Sequence, residues 1–216
     1  MKNRIVLLGP PASGKGTQAA LLAATFGIPS ASTGAILRDE KARGSEIGLE
    51  ASRWTSEGKL FPDELALRVV WNWVDGRKRF ILDGFPRTLG QATTFDEGLV
   101  ERDLSLDAVY FLNLSEELVR DRMTSRLTCA DCGSVFNEKF HNVTSESPCP
   151  KCGGKLARRE DDTMEALDHR LAQYREHTLP VVEHYRTKGL LKEVDVTPGR
   201  DAVFNHLYND FLEVAA

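Results

Sequence analysis

No apolar run in this chain of 216 residues comes near the ~20 consecutive residues that a bilayer span needs. The run "IVLLG" behind Lys2 and Arg4 is too short for a secretory signal and leads straight into a glycine loop. A cytoplasmic protein without membrane contact is the expectation. Basic charge is not in excess either: 28 Lys and Arg stand against 32 Asp and Glu, a net charge of −4 and a pI near 5.8. No global electrostatic case for nucleic acid follows, and none is expected as a partner. Cysteine is scarce, with four residues all between 129 and 152. Internal repeats and low-complexity tracts are missing, and no guanine-reading NKxD element is present, which argues against a GTPase switch. What remains, 41% hydrophobic and 28% charged residues, is the balance of an ordinary globular protein.

Apolar runs and turn signals alternate along the chain. "RIVLL" (Arg4–Leu8), "RFILD" (Arg79–Asp83) and "LDAVYFLNL" (Leu106–Leu114) read as buried strands, with "LLKEVDV" and a short "IPSAS" as weaker ones. Helical patterns lie between them: "TQAALLAATFG", stopping at Gly27, "PDELALRVVWNWV" and "SEELVRDRMTSRL". Strand–helix alternation predicts an α/β fold, a parallel sheet covered by helices on both faces. Two stretches break the alternation: short polar helices from about Ser32 to Phe61, and the cysteine-bearing stretch from about Leu127 to Glu160. The simplest organisation is a core of residues 1–31, 62–126 and 161–216 carrying two insertions, 32–61 and 127–160.

Between the first strand and first helix stands Gly9-Pro-Pro-Ala-Ser-Gly14-Lys15-Gly16-Thr17, a GxxxxGK phosphate loop. Backbone N–H groups, a helix N-terminus and the lysine ammonium all attract phosphate oxygens there. The residue after the lysine usually supplies a hydroxyl for Mg²⁺; here Gly16 intervenes before Thr17. Asp83, closing the strand "RFILD", is well placed to hold Mg²⁺ through water. A nucleoside triphosphate site is the reading.

Together with "STGAILR" (Ser32–Arg38) and "LDGFPRTLGQA" (Leu82–Ala92), followed by "ARREDD…HRL", the loop makes the whole chain resemble the adenylate kinase family of nucleoside monophosphate kinases, in its long bacterial form. The resemblance implies a P-loop core with a five-stranded parallel sheet, a helical NMP-binding insertion at 32–61 and a zinc-bearing lid at 127–160. It implies reversible transfer of the terminal phosphoryl of Mg·ATP to AMP, giving two ADP. The substrates are then ATP and AMP or ADP, with Mg²⁺ and structural Zn²⁺ as cofactors, and the protein a monomer. Lys15, Asp83, Arg87, Arg122, Arg126, Arg159 and Arg170 match the charges around the transferring group, where arginine forks suit phosphate oxygens. The ATP site would comprise Ala12, Ser13, Gly14, Lys15, Gly16, Thr17, Arg122, Arg126, Val135, Phe136 and Pro198. The AMP site would comprise Thr33, Arg38, Lys59, Leu60, Phe61, Gly84, Phe85, Pro86, Arg87, Gln91, Arg159 and Arg170, with Thr33 and Gln91 reading the base. Four positions depart from the family pattern: Ala12 for a glycine, Ala35 for an aspartate, Phe136 for a tyrosine and Leu127 for an arginine.

Cys129, Cys132, Cys149 and Cys152 form two CxxC pairs separated by sixteen residues, the spacing of a closed tetrahedral zinc site. Gly133, Gly153 and Gly154 would permit the knuckle turns; two disulfides are the competing reading. His141 reads as a surface residue, because four thiols already complete a shell. Asp161 and Asp162 could latch lid arginines or form a solvated turn. Trp71 and Trp73 read as core packing.

Three alternatives stand beside the kinase. One is the same chemistry on another base, as with a GTP donor or a UMP or CMP acceptor. Another is a zinc-ribbon nucleic-acid binder with an ATPase module, against which the acidic balance weighs. The third is a catalytically degenerate nucleotide sensor, against which the retained charges weigh.

Overall fold

The computed structural model describes residues 1–55, 62–158 and 163–213, apart from the side chains of Arg38 and of residues 51–55. The core is a five-stranded, all-parallel sheet of β1 (Arg4–Leu8), β2 (Ser30–Ser32), β3 (Phe80–Asp83), β4 (Ala108–Asn113) and β8 (Leu191–Asp195), in the order β2-β3-β1-β4-β8. The apolar runs are continuous because both faces are covered, and alternate residues serve opposite cores. Ile5, Leu7, Ile81, Tyr110 and Leu112 face α1 (Lys15–Phe26), α6 (Glu116–Thr124), α8 (Met164–Gln173) and α10 (Arg200–Leu212). Val6, Leu8, Phe80, Leu82 and Phe111 face α4 (Asp63–Val74), α5 (Leu89–Val100) and α9 (Leu179–Thr187).

Polar contacts pin the helices to this sheet. Tyr110 donates from its hydroxyl to Asp210 Oδ2 at 2.5 Å, and Lys2 pairs with the same carboxylate at 3.1 Å. Burial, then Asp210, raises the Tyr110 pKa well above the usual phenol range. On the other side Asp96 of α5 meets His184 Nε2 at 2.8 Å and the Tyr185 hydroxyl at 3.1 Å, both on α9. Trp71 lies 4.9 Å from the Phe95 ring under the Arg102 guanidinium, and Trp73 sits under Arg77, so both tryptophans pack as expected.

The first insertion opens as α2 (Thr33–Ala42) and α3 (Glu46–Thr55). Gly48 lets them cross closely, since a Cβ there would sit 2.4 Å from the Glu40 carbonyl carbon. The second insertion carries a small antiparallel sheet, β5 (Arg126–Cys129) between β6 (Val135–Asn137) and β7 (Leu156–Ala157), and one turn of helix, α7 (Glu138–His141).

One local reading needs correction. The helical pattern "SEELVRDRMTSRL" stops at Thr124, and strand begins at Arg126. The Ser125 carbonyl accepts the Glu138 N–H at 2.8 Å, and Leu127 pairs with Phe136. Long-range pairing thus overrides the local pattern. Between α8 and α9 the chain takes a π-turn over Tyr174–Thr178, in which the Leu179 N–H reaches Tyr174 O. Pro180 supplies the reason: it lacks an N–H, and its ring crowds the carbonyl one turn back.

Candidate active site

The phosphate loop leaves the C-terminal end of β1 and enters α1 at Gly14, a left-handed N-cap whose turn has no side-chain cap. The first N–H groups of α1 therefore point toward an anion site. Ala12 holds φ at 56°, a conformation that suits glycine better than a residue with a Cβ. Its family departure is thus felt in the backbone. Lys15 Nζ bonds back onto its own loop, to Gly9 O at 2.9 Å, Pro10 O at 2.7 Å and Ser13 Oγ at 3.3 Å. By surface area the residue is only half-buried, yet loop atoms crowd its ammonium. That desolvation lowers its pKa to about 8, with Asp83 opposing and Arg87 and Arg126 reinforcing the fall.

Beside the loop, β3 ends at Asp83 and turns through Gly84 into a cis Phe85–Pro86 bond and Arg87. Desolvation raises the Asp83 pKa, and Lys15 and Arg87 pull it back. Arg87 is lowered by desolvation, countered by Asp83 and reinforced by Arg170. The mutual effects put Lys15, Asp83, Arg87, Arg126 and Arg170 in one field, and among the described residues Asp83 is the carboxylate that acts on Lys15 and Arg87. Arg87 Nε also donates to Gly84 O at 2.9 Å. Gly16 presses on the same place, for a Cβ there would stand 3.1 Å from Asp83 Oδ2.

Thr33 and Gln91, the expected base readers, are 5% and 3% exposed. The Thr33 hydroxyl has no hydrogen-bond partner among the described residues. Gln91 by contrast is held on both sides, accepting from the Arg87 N–H at 2.8 Å and donating to Asp63 Oδ1 at 2.8 Å. Phe85 is buried in the core beneath, its ring edge-on to Phe95 at 5.2 Å. The side chain of Arg38, and all of Lys59, Leu60, Phe61, Arg159, Asp161 and Asp162, lie outside the described residues.

A phosphate loop at the end of β1 thus stands beside the Asp83–Arg87 turn and an arginine cluster. The family model described as "Adenylate kinase" matches residues 7–190. An adenylate kinase of Clostridium tetani is 40% identical over 95% of this chain and 96% of its own length. That of Archaeoglobus fulgidus is 41% identical over 94% and 95%. That of Thermodesulfovibrio yellowstonii is 41% identical over 94% and 96%. The chain belongs to the adenylate kinase family. The five-stranded parallel sheet is accordingly a P-loop NTPase core.

The adenylate kinase match spans the phosphate loop, Asp83, the arginines and all four cysteines, and stops short of Pro198. Arg122 lies in a different setting from the other arginines: its guanidinium donates to Val196 O at 2.8 Å, next to the exposed turn that carries Pro198. Burial lowers its pKa, and Asp121 and Asp195 oppose that. Gln18, directly after the phosphate loop, is a residue that sequence reasoning gives no role. It is 3% exposed, donates to Arg200 O at 2.9 Å and has no partner for Oε1 among the described residues. It ties α1 to the turn after β8. Asp63 and Thr88 were also missed, because only tertiary structure brings them to Gln91.

In the second insertion of this adenylate kinase fold, the four Sγ atoms lie within 4.8 Å of one another. Cys129 and Cys152 approach to 3.5 Å and Cys132 and Cys149 to 3.7 Å, all four as free thiols. The two knuckles repeat one hydrogen-bond scheme. Gly133 N–H bonds Cys129 O at 3.0 Å and Gly153 N–H bonds Cys149 O at 2.8 Å. The Cys129 N–H bonds Ser134 O at 2.9 Å, and the Cys149 N–H bonds Gly154 O at 2.8 Å. Gly133 and Gly153 take φ of 68° and 78°, as tight turns require. Gly154 does not; it is small because a Cβ there would collide with Asp131. Hydrogen bonding with the Ser134 side chain and backbone pulls the Cys132 thiol down to about 6. His141 is exposed and bonds Asn137 within its own turn, so it stands apart from the thiols. Val135 is 42% exposed on β6, while Phe136 packs onto the small core of Leu127, Cys129, Val143, Cys149 and Leu156.

Proposed function

We propose that the chain catalyses reversible transfer of the terminal phosphoryl group of Mg·ATP to AMP, giving two ADP, by direct in-line attack of the acceptor phosphate. The observation that carries this reading is the charge cluster in which Asp83 acts on Lys15 and Arg87, with Arg126 acting on Lys15 and Arg170 on Arg87. Two nucleotides bring many negative charges into one cleft, so positioning and charge stabilisation are the main work of the protein. No protein nucleophile is needed, since the acceptor phosphate attacks itself.

In this reading the N–H groups of Ser13, Gly14, Gly16 and Thr17, with Ala12, cradle the donor phosphates. Lys15 exchanges its loop carbonyls for phosphate oxygens. Arg122 and Arg126 hold the donor side. Arg38, Arg87, Arg159 and Arg170 hold the acceptor phosphate and the group in flight. Val135, Phe136 and Pro198 border the donor base. Thr33 and Gln91, with Gly84, Phe85, Pro86 and residues 59–61, border the acceptor. Residues 32–61 would act as the AMP-binding unit and 127–160 as a lid on the core formed by the rest. Lid closure would expel water that could otherwise accept the phosphoryl group.

The residues fit both metals. Asp83, with the space that Gly16 leaves beside it, suits water-mediated contact to Mg²⁺. Mg²⁺ supplies charge neutralisation between the donor phosphates when bound. Sulfur separations of 3.5 and 3.7 Å suit a tetrahedral thiolate shell, so the four cysteines would hold structural Zn²⁺. No helix among the described residues is long and apolar enough to cross a membrane, and we read the enzyme as a cytoplasmic monomer.

The test is direct. Purified protein with Mg·ATP and each of AMP, GMP, CMP and UMP is followed for diphosphate formation by chromatography. ADP formation with AMP above the others supports the reading. Absence of transfer from folded, metal-loaded protein defeats it.

A further inference from the structure

We propose that Asp63 sets acceptor-base specificity by locking the Gln91 amide in one of its two orientations. The inference rests on the reading of Gln91 as a base-contacting residue. Asp63 opens α4, directly after the first insertion, and its carboxylate is spent on α5. Oδ1 accepts from Gln91 Nε2 at 2.8 Å, and Oδ2 accepts from the Thr88 hydroxyl at 2.7 Å. Thr88 Oγ1 in turn accepts the Gln91 N–H at 3.1 Å, and Gln91 Oε1 accepts the Arg87 N–H at 2.8 Å.

An amide turned through half a revolution would set its carbonyl oxygen against the Asp63 carboxylate. It would also set its amino group against the Arg87 N–H. Both contacts join like polarities at a side chain that is 3% exposed, where water cannot relieve them. The neighbours therefore fix which end of the amide is which.

Each neighbour uses one of the amide's positions, leaving one N–H and one lone pair in a fixed order. That order decides which purine it can serve. A 6-aminopurine offers an amino donor at C6 and an acceptor at N1, whereas a 6-oxopurine offers an acceptor at C6 and a donor at N1. A freely turning amide would satisfy either; a locked one satisfies one and leaves the other with unpaired buried polar groups, the strongest source of rejection. Asp63 is thus a positioning residue, acting on the base only through Gln91.

The experiment compares kcat/KM for AMP and for IMP, a 6-oxopurine without an added 2-amino group, in wild type, Asp63→Asn and Gly90→Ala. Gly90→Ala keeps every polar group but places a Cβ 2.9 Å from Asp63 Oδ2, which must shift the carboxylate. We expect the AMP-to-IMP ratio to fall about tenfold in Asp63→Asn and several-fold in Gly90→Ala, mainly through KM. A merely structural Asp63 would weaken AMP and IMP together. An unchanged ratio in variants shown to be folded overturns the lock while leaving phosphoryl transfer in place. Should Asp63→Asn not fold, the ratio in Gly90→Ala decides alone. A wild type that transfers to no monophosphate defeats the function itself, and the lock with it.

Discussion

Gly16 and Asp83 are in contact range across the phosphate loop: a Cβ on residue 16 would come within 3.1 Å of Asp83 Oδ2. The GKGT variant of the loop thereby leaves room for a carboxylate beside the lysine. Gly16→Ala should keep the fold, because Gly16 lies in the first turn of α1 and alanine favours helix. The carboxylate must move by a few tenths of an ångström. The expected result is a higher free Mg²⁺ requirement and a kcat lower by roughly tenfold, since sub-ångström placement of charge governs such sites. A Mg²⁺ titration at fixed ATP reads this; an unaltered curve would remove Asp83 from the metal's surroundings.

Lys15 offers a pH signature. Its ammonium pKa is lowered to about 8 by desolvation in the unliganded protein, and phosphate binding requires the charged form. kcat/KM reports the free enzyme, so for Mg·ATP it should decline above about pH 8, approaching tenfold per unit. kcat should hold to higher pH, because bound phosphates favour the protonated lysine. Lys15→Ala should lose turnover by orders of magnitude with the fold largely intact. Flat kcat/KM from pH 7 to 9.5 would contradict the assignment.

Ala12 at φ 56° carries backbone strain that glycine would not. A left-handed L-residue costs roughly 1–2 kcal/mol, partly offset by glycine's greater chain entropy when unfolded. Ala12→Gly should therefore stabilise the protein by up to about 1 kcal/mol, a rise in melting temperature of about 2–4 °C for a chain of this size. Scanning calorimetry distinguishes this from the loss expected if the Cβ packs usefully.

The strands were legible because their burial leaves little choice: "RIVLL" and "FILD" lie in a sheet covered on both faces. The phosphate loop was legible because its glycines and lysine answer to local geometry. The end of α6 was not, since Leu127 takes its conformation from Phe136, a residue in another element. The Asp63–Thr88–Gln91 network was hidden for the same reason, because 25 positions separate Asp63 from Thr88 and no pattern links them. Gln18 follows the phosphate loop, but its partner Arg200 lies 182 positions away, so the sequence does not show its role. Gly154 reads in the sequence as a turn glycine, but its smallness answers to Asp131 rather than to φ.

The cysteine knuckles make the sharpest separation between stability and chemistry. Their buried company is small, Leu127, Val143, Leu156 and the flank of Phe136, too little core to hold three short strands unaided. Metal held by the four sulfurs would supply the missing folding free energy. None of the sulfurs is among the groups that act on Lys15 or Arg87. Cys149→Ala should thus lower the melting temperature by about 10 °C, on the basis of a loss of about 3 kcal/mol. Turnover at low temperature should stay within a few-fold. Elemental analysis of the wild type should give one Zn²⁺ per chain, and a chelator with a thiol reagent should reproduce the destabilisation. An unchanged melting curve in Cys149→Ala, with no metal in the wild type, would leave the repeated knuckle geometry as a fold without a staple. The second insertion would then have to be held by its strands alone.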